Sequence, residues 1–237
     1  MWPRRPRWSL VLVVFGLGAL APVVALFLLV LDSATTSVSE TYIEAVAGEP
    51  PLLNPVLAPY TQARQDVLPL VFAGLLRADA EGNVYPDLAE RWTVGDDGLE
   101  YLVELRPGLR WHDGEPLTAG DVAFTIGLIQ AADHQGSQDL AELWRGVDVE
   151  VVDAQTVRFR LPSPLASFLE HLTLGLLPRH VLDGVAAGAL PLHAFNRAPI
   201  GSGPYRVTGL DPDRISLERY PEYHGVPPRL ARIELHI

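Results

Sequence analysis

Four polar side chains that could do chemistry lie within ten residues of one another, in the stretch WHDGEPLTAGD. They are His112, Asp113, Glu115 and Asp121. Imidazole and carboxylate groups at this density could bind a cation, or could provide an acid and a base for hydrolysis. The same stretch could instead be a tight turn that leads into a helix, and the surrounding sequence decides between these two interpretations.

The spacing of the stretch favours the structural interpretation. Asp113 and Gly114 form a typical turn pair, and Thr118 stands where a helix N-cap is expected. Asp121 comes three residues later, where a carboxylate can accept a hydrogen bond from the N–H of the cap and interacts favourably with the helix dipole. An apolar stripe then continues from Val122. Because a metal site needs three or more convergent ligands, usually from separated elements, we expect no metal here.

Composition excludes several classes of function. The chain has no cysteine, which excludes a disulfide framework, a thiolate metal site and a cysteine nucleophile. None of its seven histidines shows the His-Glu-x-x-His spacing of a zinc site. From Asp32 onward, 15 arginines stand against 29 acidic residues, which argues against nucleic acid as a partner. These observations remove several classes of enzyme and of metal protein, and they disfavour a nucleic-acid-binding function.

The Gly-Ser-Gly of the segment IGSGPY could suggest a nucleophile at Ser202 or a phosphate loop. A nucleophile elbow needs Gly-x-Ser-x-Gly, however, and a phosphate loop needs a lysine and a following helix. We interpret Gly201 and Gly203 as a tight backbone crossing at which a side chain would collide.

The amino terminus predicts export and a membrane anchor. Met1–Arg7 is basic, and Trp8–Leu31 is uncharged over 24 residues, which is long enough to span a bilayer as a helix. A cleaved signal peptide is the alternative, although its apolar region usually runs only about 7 to 15 residues. Asp32–Glu40 would be a polar stalk. The basic segment would stay in the cytoplasm, so the domain from Thr41 onward would face the extracytoplasmic side of the cell membrane, on a single-pass anchor.

The remainder of the chain predicts an α/β domain of the mixed α+β kind. Hydrophobic residues alternate with polar ones in two predicted β-hairpins, and helical spacing appears between the strands. The hairpins are Arg91–Val94 with Leu99–Leu105 and Val147–Val152 with Thr156–Leu161. Further strands are predicted at Thr41–Ala47, Tyr205–Gly209, Ile215–Tyr220 and Ala231–Ile237. Helices are predicted at Gln65–Leu76, with Pro69 in the first turn, after Thr118, and around Asp139–Arg145.

One long segment closely resembles the characteristic region of family 5 solute-binding proteins, the extracytoplasmic peptide, dipeptide and nickel receptors of ABC importers. It is Arg91–Ile126, which reads RWTVGDDGLEYLVELRPGLRWHDGEPLTAGDVAFTI. Further blocks agree in the order of the family, so that the resemblance covers Tyr42–Ile237. These blocks are EPPLLNP, VFAGLLRADAEGNVYPDLAERW, LLPRHVL, APIGSGPYRV and LERYPEYHG.

The resemblance implies a two-lobed receptor that closes on a peptide or similar solute and presents it to an ABC permease in the membrane. We therefore predict that the protein has no cofactor and is not an enzyme. Residues 41–237 would be the N-terminal part of the family domain, which is a lobe of the type II periplasmic-binding-protein fold. Family members are considerably longer. We therefore expect the second lobe, and the segment that completes the first lobe, to lie beyond Ile237 and to be missing here.

The resemblance also implies ligand contacts just after the Asn-Pro pair of EPPLLNP, which points to Pro59, Tyr60 and Thr61. The alternative is that this proline-rich loop only packs on the lobe. Trp144 could supply an aromatic wall of the ligand site, or it could be buried in the core.

Other functions stay open at this point. A membrane-anchored sensor or interaction ectodomain would bind a protein partner and no solute. Nickel or another metal complex could replace the peptide as the solute. A metal-dependent hydrolase would use His112, Asp113 and Glu115.

Overall fold

The computed structural model describes residues 41–46, 52–57 and 62–237, and of residues 62–65 only the backbone. The predicted membrane helix Trp8–Leu31, the predicted stalk Asp32–Glu40 and the loop residues Pro59, Tyr60 and Thr61 lie outside these ranges. Within the ranges given, no helix is both long enough and apolar enough to cross a membrane.

A four-stranded antiparallel sheet is built from the two predicted hairpins. Its strands follow the order β4-β5-β7-β6, with β4 at Ala89–Val94, β5 at Glu100–Leu105, β6 at Asp148–Val151 and β7 at Thr156–Arg160. Successive side chains of a strand point to opposite faces, so alternate residues of the two central strands enter the core. The buried ones are Tyr101, Val103, Leu105, Val157 and Phe159. The other face carries exposed ion pairs such as Arg158 with Glu150 at 2.7 Å, which contribute little to stability.

A second four-stranded sheet contains the first and the last strand that the structure describes. Its strands follow the order β1-β10-β9-β8, with β1 at Thr41–Ala45, β8 at Tyr205–Asp211, β9 at Arg214–Arg219 and β10 at Arg232–His236. β10 is antiparallel to β9 and parallel to β1, and Tyr42 lies opposite Ile233. One face of β9 and β10 is buried, whereas most residues of β1 are exposed. A short antiparallel pair, β2 at Leu76–Ala78 and β3 at Val84–Pro86, completes the β-structure described.

The helices lie between these strands. They are α1 at Gln62–Val71, α2 at Ala119–Gln130, α3 at Gln138–Arg145, α4 at Phe168–His171 and α5 at Arg179–Leu182, with 3-10 helices at Ala187–Leu192 and Ala194–Arg197. α1 packs on β8, and α2 packs on α3, β6 and β7. The side chain of Gln130 donates hydrogen bonds to the carbonyls of Trp144 and Val147, both at 2.7 Å. The Trp144 carbonyl lies in the last turn of α3 and the Val147 carbonyl just beyond it, so Gln130 of α2 is bonded to the C-terminal end of α3.

Thr118 is the N-cap residue of α2, and Asp121 follows it three residues later in the first turn of the helix. The Asp121 carboxylate is 5% exposed and accepts hydrogen bonds from the Thr118 N–H (2.8 Å) and from the Thr118 hydroxyl (3.3 Å). Its second oxygen accepts the backbone N–H of Arg179 (2.9 Å), the first residue of α5. One buried carboxylate therefore binds the beginnings of two helices, whose first N–H groups have no partner inside the helix.

The first helix ends earlier than the sequence predicts. We expected Gln65–Leu76 with Pro69 in the first turn, but α1 covers Gln62–Val71 and Pro69 lies in its last turn. The apolar residues that follow Val71 are not helical, and the Leu76 N–H donates to the carbonyl of Leu172 (3.0 Å) as β2 begins. The prediction was wrong because a buried helix and a buried extended segment can have the same apolar composition.

Replacing Asp121 by Ala should destabilise the fold, because the N–H groups of Thr118 and Arg179 lose their acceptor in a partly buried place. We expect the free energy of unfolding to fall by about 2–4 kcal/mol, since a lost cap costs about 1 kcal/mol and an orphaned buried donor costs more. Urea unfolding followed by circular dichroism measures this loss. Asp139 is the matched control, because it is an acidic residue in the first turn of α3 but is exposed. Asp139→Ala should cost less than about 1 kcal/mol, and equal losses for both variants would contradict the double cap.

Candidate functional site

Both ring nitrogens of His112 contact a segment that is distant in the sequence. Nε2 lies 3.0 Å from the carbonyl oxygen of Gly203, and Nδ1 lies 3.2 Å from the amide nitrogen of Gly201. The Gly201 N–H can only donate, so Nδ1 accepts and the proton of the neutral imidazole is on Nε2. The His112 N–H also donates to the Gly201 carbonyl (2.8 Å). Burial lowers the pKa of His112 to about 4, which keeps the ring neutral at pH 7.

The Gly-Ser-Gly segment crosses the end of α1 at close range. The Gly203 N–H donates to the carbonyl of Val71 (2.9 Å), one of those that a helix end leaves without an internal partner. A Cβ atom on Gly203 would lie 2.6 Å from the carbonyl oxygen of Leu70, and a Cβ atom on Gly201 would overlap the Val71 carbonyl. The crossing therefore has no room for a side chain at either glycine. Ser202 between them is 1% exposed, so its hydroxyl is not accessible to a substrate.

The polar side chains of the WHDG turn have separate partners. Oδ1 of Asp113 accepts the Glu115 N–H (3.2 Å), and Oδ2 lies 2.7 Å from Nε2 of His180. Gly114 has a φ of +89°, which glycine adopts without strain. His112 and Asp113 thus contact different segments instead of converging on one point. In the part of the chain that the structure describes, no group of three or more His, Asp or Glu side chains could hold a metal ion.

A buried pair of amides holds the segment that precedes the predicted ligand loop. Asn54 is 0% exposed; its Nδ2 donates to Oδ1 of Asn196 (3.0 Å), and its Oδ1 accepts the Val56 N–H (3.1 Å). The Asn196 amide donates in turn to the carbonyl of Leu190 (2.6 Å). The sequence carried no signal for the partner of Asn54, because the two amides are far apart along the chain. The residues Pro59–Thr61 follow this segment outside the described ranges, and their contact with a ligand stays a prediction.

Trp144 belongs to the core of the lobe. It is 1% exposed, and its ring centroid lies 6.0 Å from that of Phe159 and 5.7 Å from that of Phe168. The structure therefore agrees with the second of the two roles that the sequence left open. It leaves no accessible surface from which Trp144 could form the aromatic wall of a ligand site. The helical spacing carried this signal, because Ala141 and Trp144 share the buried face of α3.

Comparison with known proteins identifies the family of the chain. The sequence profile described as "Bacterial extracellular solute-binding proteins, family 5 Middle" matches residues 83–237. The chain belongs to this family. The matched range of this family 5 chain includes the WHDG turn, its partner His180 and the Gly-Ser-Gly crossing.

Relatives of known structure share the mixed α/β fold of the family 5 chain. The oligopeptide-binding protein AppA of Bacillus subtilis is 32% identical over 163 residues, which are 67% of this chain and 30% of AppA. The solved structure of AppA in complex with a nonapeptide has a TM-score of 0.78 at 29% identity, and the match covers 83% of this chain and 40% of the other. NikZ from Campylobacter jejuni in complex with Ni(L-His) has a TM-score of 0.75 at 28% identity, over 84% and 39%. The family 5 chain thus spans less than half the length of these relatives.

The depressed pKa of His112 makes the stability of the lobe depend on pH. Free histidine has a pKa of about 6.5, so between about pH 6.5 and pH 4 the unfolded chain binds a proton that the folded chain does not. The contribution of the neutral ring is fully present above about pH 6.5 and is lost as the pH falls through this window. We expect the stability advantage of the wild type over His112→Asn to shrink by roughly 2 kcal/mol between pH 7.5 and pH 4.5. Urea unfolding at both pH values measures it, and an advantage that is independent of pH would show that His112 is not buried as a neutral ring.

Proposed function

We propose that this family 5 chain is part of the substrate-binding component of an ABC importer, that it binds peptides outside the cytoplasmic membrane, and that it catalyses no reaction. The family match over residues 83–237 carries the proposal. Similarity to AppA, whose solved structure holds a nonapeptide, favours peptides as the solute. The permease subunits of the importer would be the protein partners in the membrane.

Peptides of varied sequence are recognised best through their backbone, because only the backbone groups are common to all of them. We infer that Pro59, Tyr60 and Thr61 supply part of this contact. Asn54 supports this assignment, because its buried hydrogen bonds fix the chain shortly before these residues. α1 begins directly after them at Gln62. Flanks that are fixed before binding reduce the conformational freedom that binding removes, which favours affinity.

The opposite wall of the ligand site would come from a second lobe outside these 237 residues. The length of the relatives supports this inference, because the match covers 30% of AppA. The identity of the solute would then depend on both walls. From Asp32 onward, 29 acidic residues stand against 15 arginines, and this excess favours cationic over acidic peptides.

A metal complex is the second candidate solute. NikZ, solved with Ni(L-His), is structurally about as similar to this chain as AppA is, with TM-scores of 0.75 and 0.78. The nickel would then be cargo, carried as a complex with L-histidine, and not a resident metal of the protein. An ectodomain that binds only a protein partner would take up neither a peptide nor a nickel complex.

Thermal unfolding in the presence of solutes tests these alternatives. The purified full chain is heated with mixtures of tripeptides to nonapeptides, with Ni²⁺ plus L-histidine, and with buffer alone. A bound peptide present at 100 times its Kd should stabilise the fold by about 2.7 kcal/mol, which raises Tm by several degrees. A rise with nickel-histidine only would favour the second candidate. No rise with either solute would contradict solute binding by this chain.

We also propose that Trp8–Leu31 anchors the chain in the cell membrane with the domain outside. Its 24 uncharged residues after a basic segment support this assignment. Protease added to protoplasts or spheroplasts should degrade the domain, and the untreated protein should stay with the membranes after an alkaline carbonate wash. A mature protein that lacks residues 1–31 and is released into the wash would instead favour the cleaved signal peptide.

A further inference from the structure

We propose that His112 is a positioning residue for solute binding, which fixes the end of α1 through Gly201 and Gly203. This inference rests on the proposed function, because α1 begins directly after the residues assigned to the ligand. His112 itself lies in the turn before α2 and is not assigned to the ligand. Its effect on affinity would be exerted through the backbone of the crossing.

Contacts with three residues hold the imidazole ring of His112 in place. Its two nitrogens contact Gly203 and Gly201, and the edge of the ring packs against Tyr220 with 4.8 Å between the ring centroids. The Tyr220 hydroxyl donates to the carbonyl of Trp111 (2.9 Å), the residue before His112. Tyr220 is 5% exposed and Trp111 is 0% exposed, so the core holds both of these neighbours of His112 in place. Because the ring donates at one nitrogen and accepts at the other, a rotation of the ring would break both hydrogen bonds.

The Gly-Ser-Gly crossing in turn contacts the end of α1. The Gly203 N–H binds the Val71 carbonyl at the helix end, and the absence of side chains at both glycines brings the two backbones into direct contact. Pro69 lies in the last turn of α1 and has no N–H, so this turn has one internal hydrogen bond fewer than usual. The external bond from Gly203 is therefore a larger part of what holds the turn in place. β8, on which α1 packs, follows the crossing directly.

Protonation of His112 would break this link. A protonated ring has no acceptor for the Gly201 N–H, and it would stand beside the Arg206 guanidinium, which disfavours the positive charge. The nearby Asp113 carboxylate acts in the opposite direction, but desolvation of the ring is the larger influence. Because the pKa of His112 in the folded protein is about 4, peptide affinity should weaken in the wild type as the pH falls through 4. A side chain that does not titrate should remove the part of this dependence that is due to His112.

Two substitutions at this position and one matched control separate positioning from general stability. His112→Phe keeps a ring beside Tyr220 but removes both nitrogens, whereas His112→Asn keeps one donor and one acceptor. His180→Phe is the control, because it removes another imidazole that contacts the same turn, through Asp113, but does not touch the crossing. In the full chain at pH 7.5, we expect His112→Phe to weaken peptide affinity about tenfold, His112→Asn to recover most of the loss, and His180→Phe to stay within about twofold of the wild type.

Amide hydrogen exchange provides a readout that needs no ligand. The Gly203 N–H should exchange at least about tenfold faster in His112→Phe than in the wild type, and at the wild-type rate in His180→Phe. Unchanged exchange and unchanged affinity in His112→Phe would overturn the inference and leave the proposed function intact. If the wild type binds no peptide, the proposed function fails, and the exchange rates alone decide whether His112 holds the crossing.

If His112→Phe does not fold, the test uses His112→Asn instead. Peptide affinity of the wild type and of His112→Asn is then compared at pH 7.5 and pH 3.5 by isothermal titration calorimetry, because about three quarters of the His112 rings are protonated at the lower pH. A larger loss of affinity in the wild type supports the inference. The same pH dependence in both proteins overturns it.

Discussion

Two helices of this lobe begin at the same buried carboxylate. The N–H groups of Thr118 and Arg179 have no partner inside their own helices, and Asp121 accepts both. The turn just before Asp121 adds two further directional contacts, from His112 to the Gly-Ser-Gly crossing and from Asp113 to His180. Apolar packing alone tolerates small shifts of one element against another. Hydrogen bonds depend more strongly on distance and angle, so these contacts fix how α2, α5 and the segment before β8 are placed.

The dense group of polar side chains in WHDGEPLTAGD is thus a set of structural contacts. His112, Asp113 and Asp121 each contact a different segment, and the two that are most buried, His112 and Asp121, have backbone groups as partners. A catalytic or metal site would need these groups to converge on one point. In the proposed receptor, the stretch would bear on function through its contact with the crossing at the end of α1, without contacting a solute itself.

Local patterns predicted the parts of the fold that depend on neighbours in the sequence. The alternation in Leu99–Leu105 and Thr156–Leu161 predicted two strands that the structure has, because a half-buried strand imposes that alternation. The spacing of Thr118 and Asp121 likewise predicted the start of α2. The end of α1 could not be predicted in this way, since it is set by the contacts of Leu76 with Leu172 and by the crossing.

The roles of individual site residues depended even more on distant partners. No period or spacing connects His112 with the Gly-Ser-Gly segment, or Asn54 with Asn196, although each contact is short and specific. The two glycines in the sequence indicated that another backbone segment passes close to them, but not which segment it is. Trp144 was ambiguous for a different reason: a large aromatic side chain suits a core and a ligand wall equally well, and only its exposure distinguishes them.

The pairing of β1 with β10 has a consequence for the order of folding. These are the first and last described strands, and they are parallel neighbours in one sheet. β1 therefore has to wait for β10 to leave the ribosome or the translocation channel, while the sheet of β4 to β7 can form from contacts closer in sequence. Pairings between distant segments are slow to form, and until β10 arrives the edge of β1 that pairs with it is open to wrong partners. A chain that crosses the membrane unfolded would form this pair last, so the second sheet would be completed only outside the cell membrane.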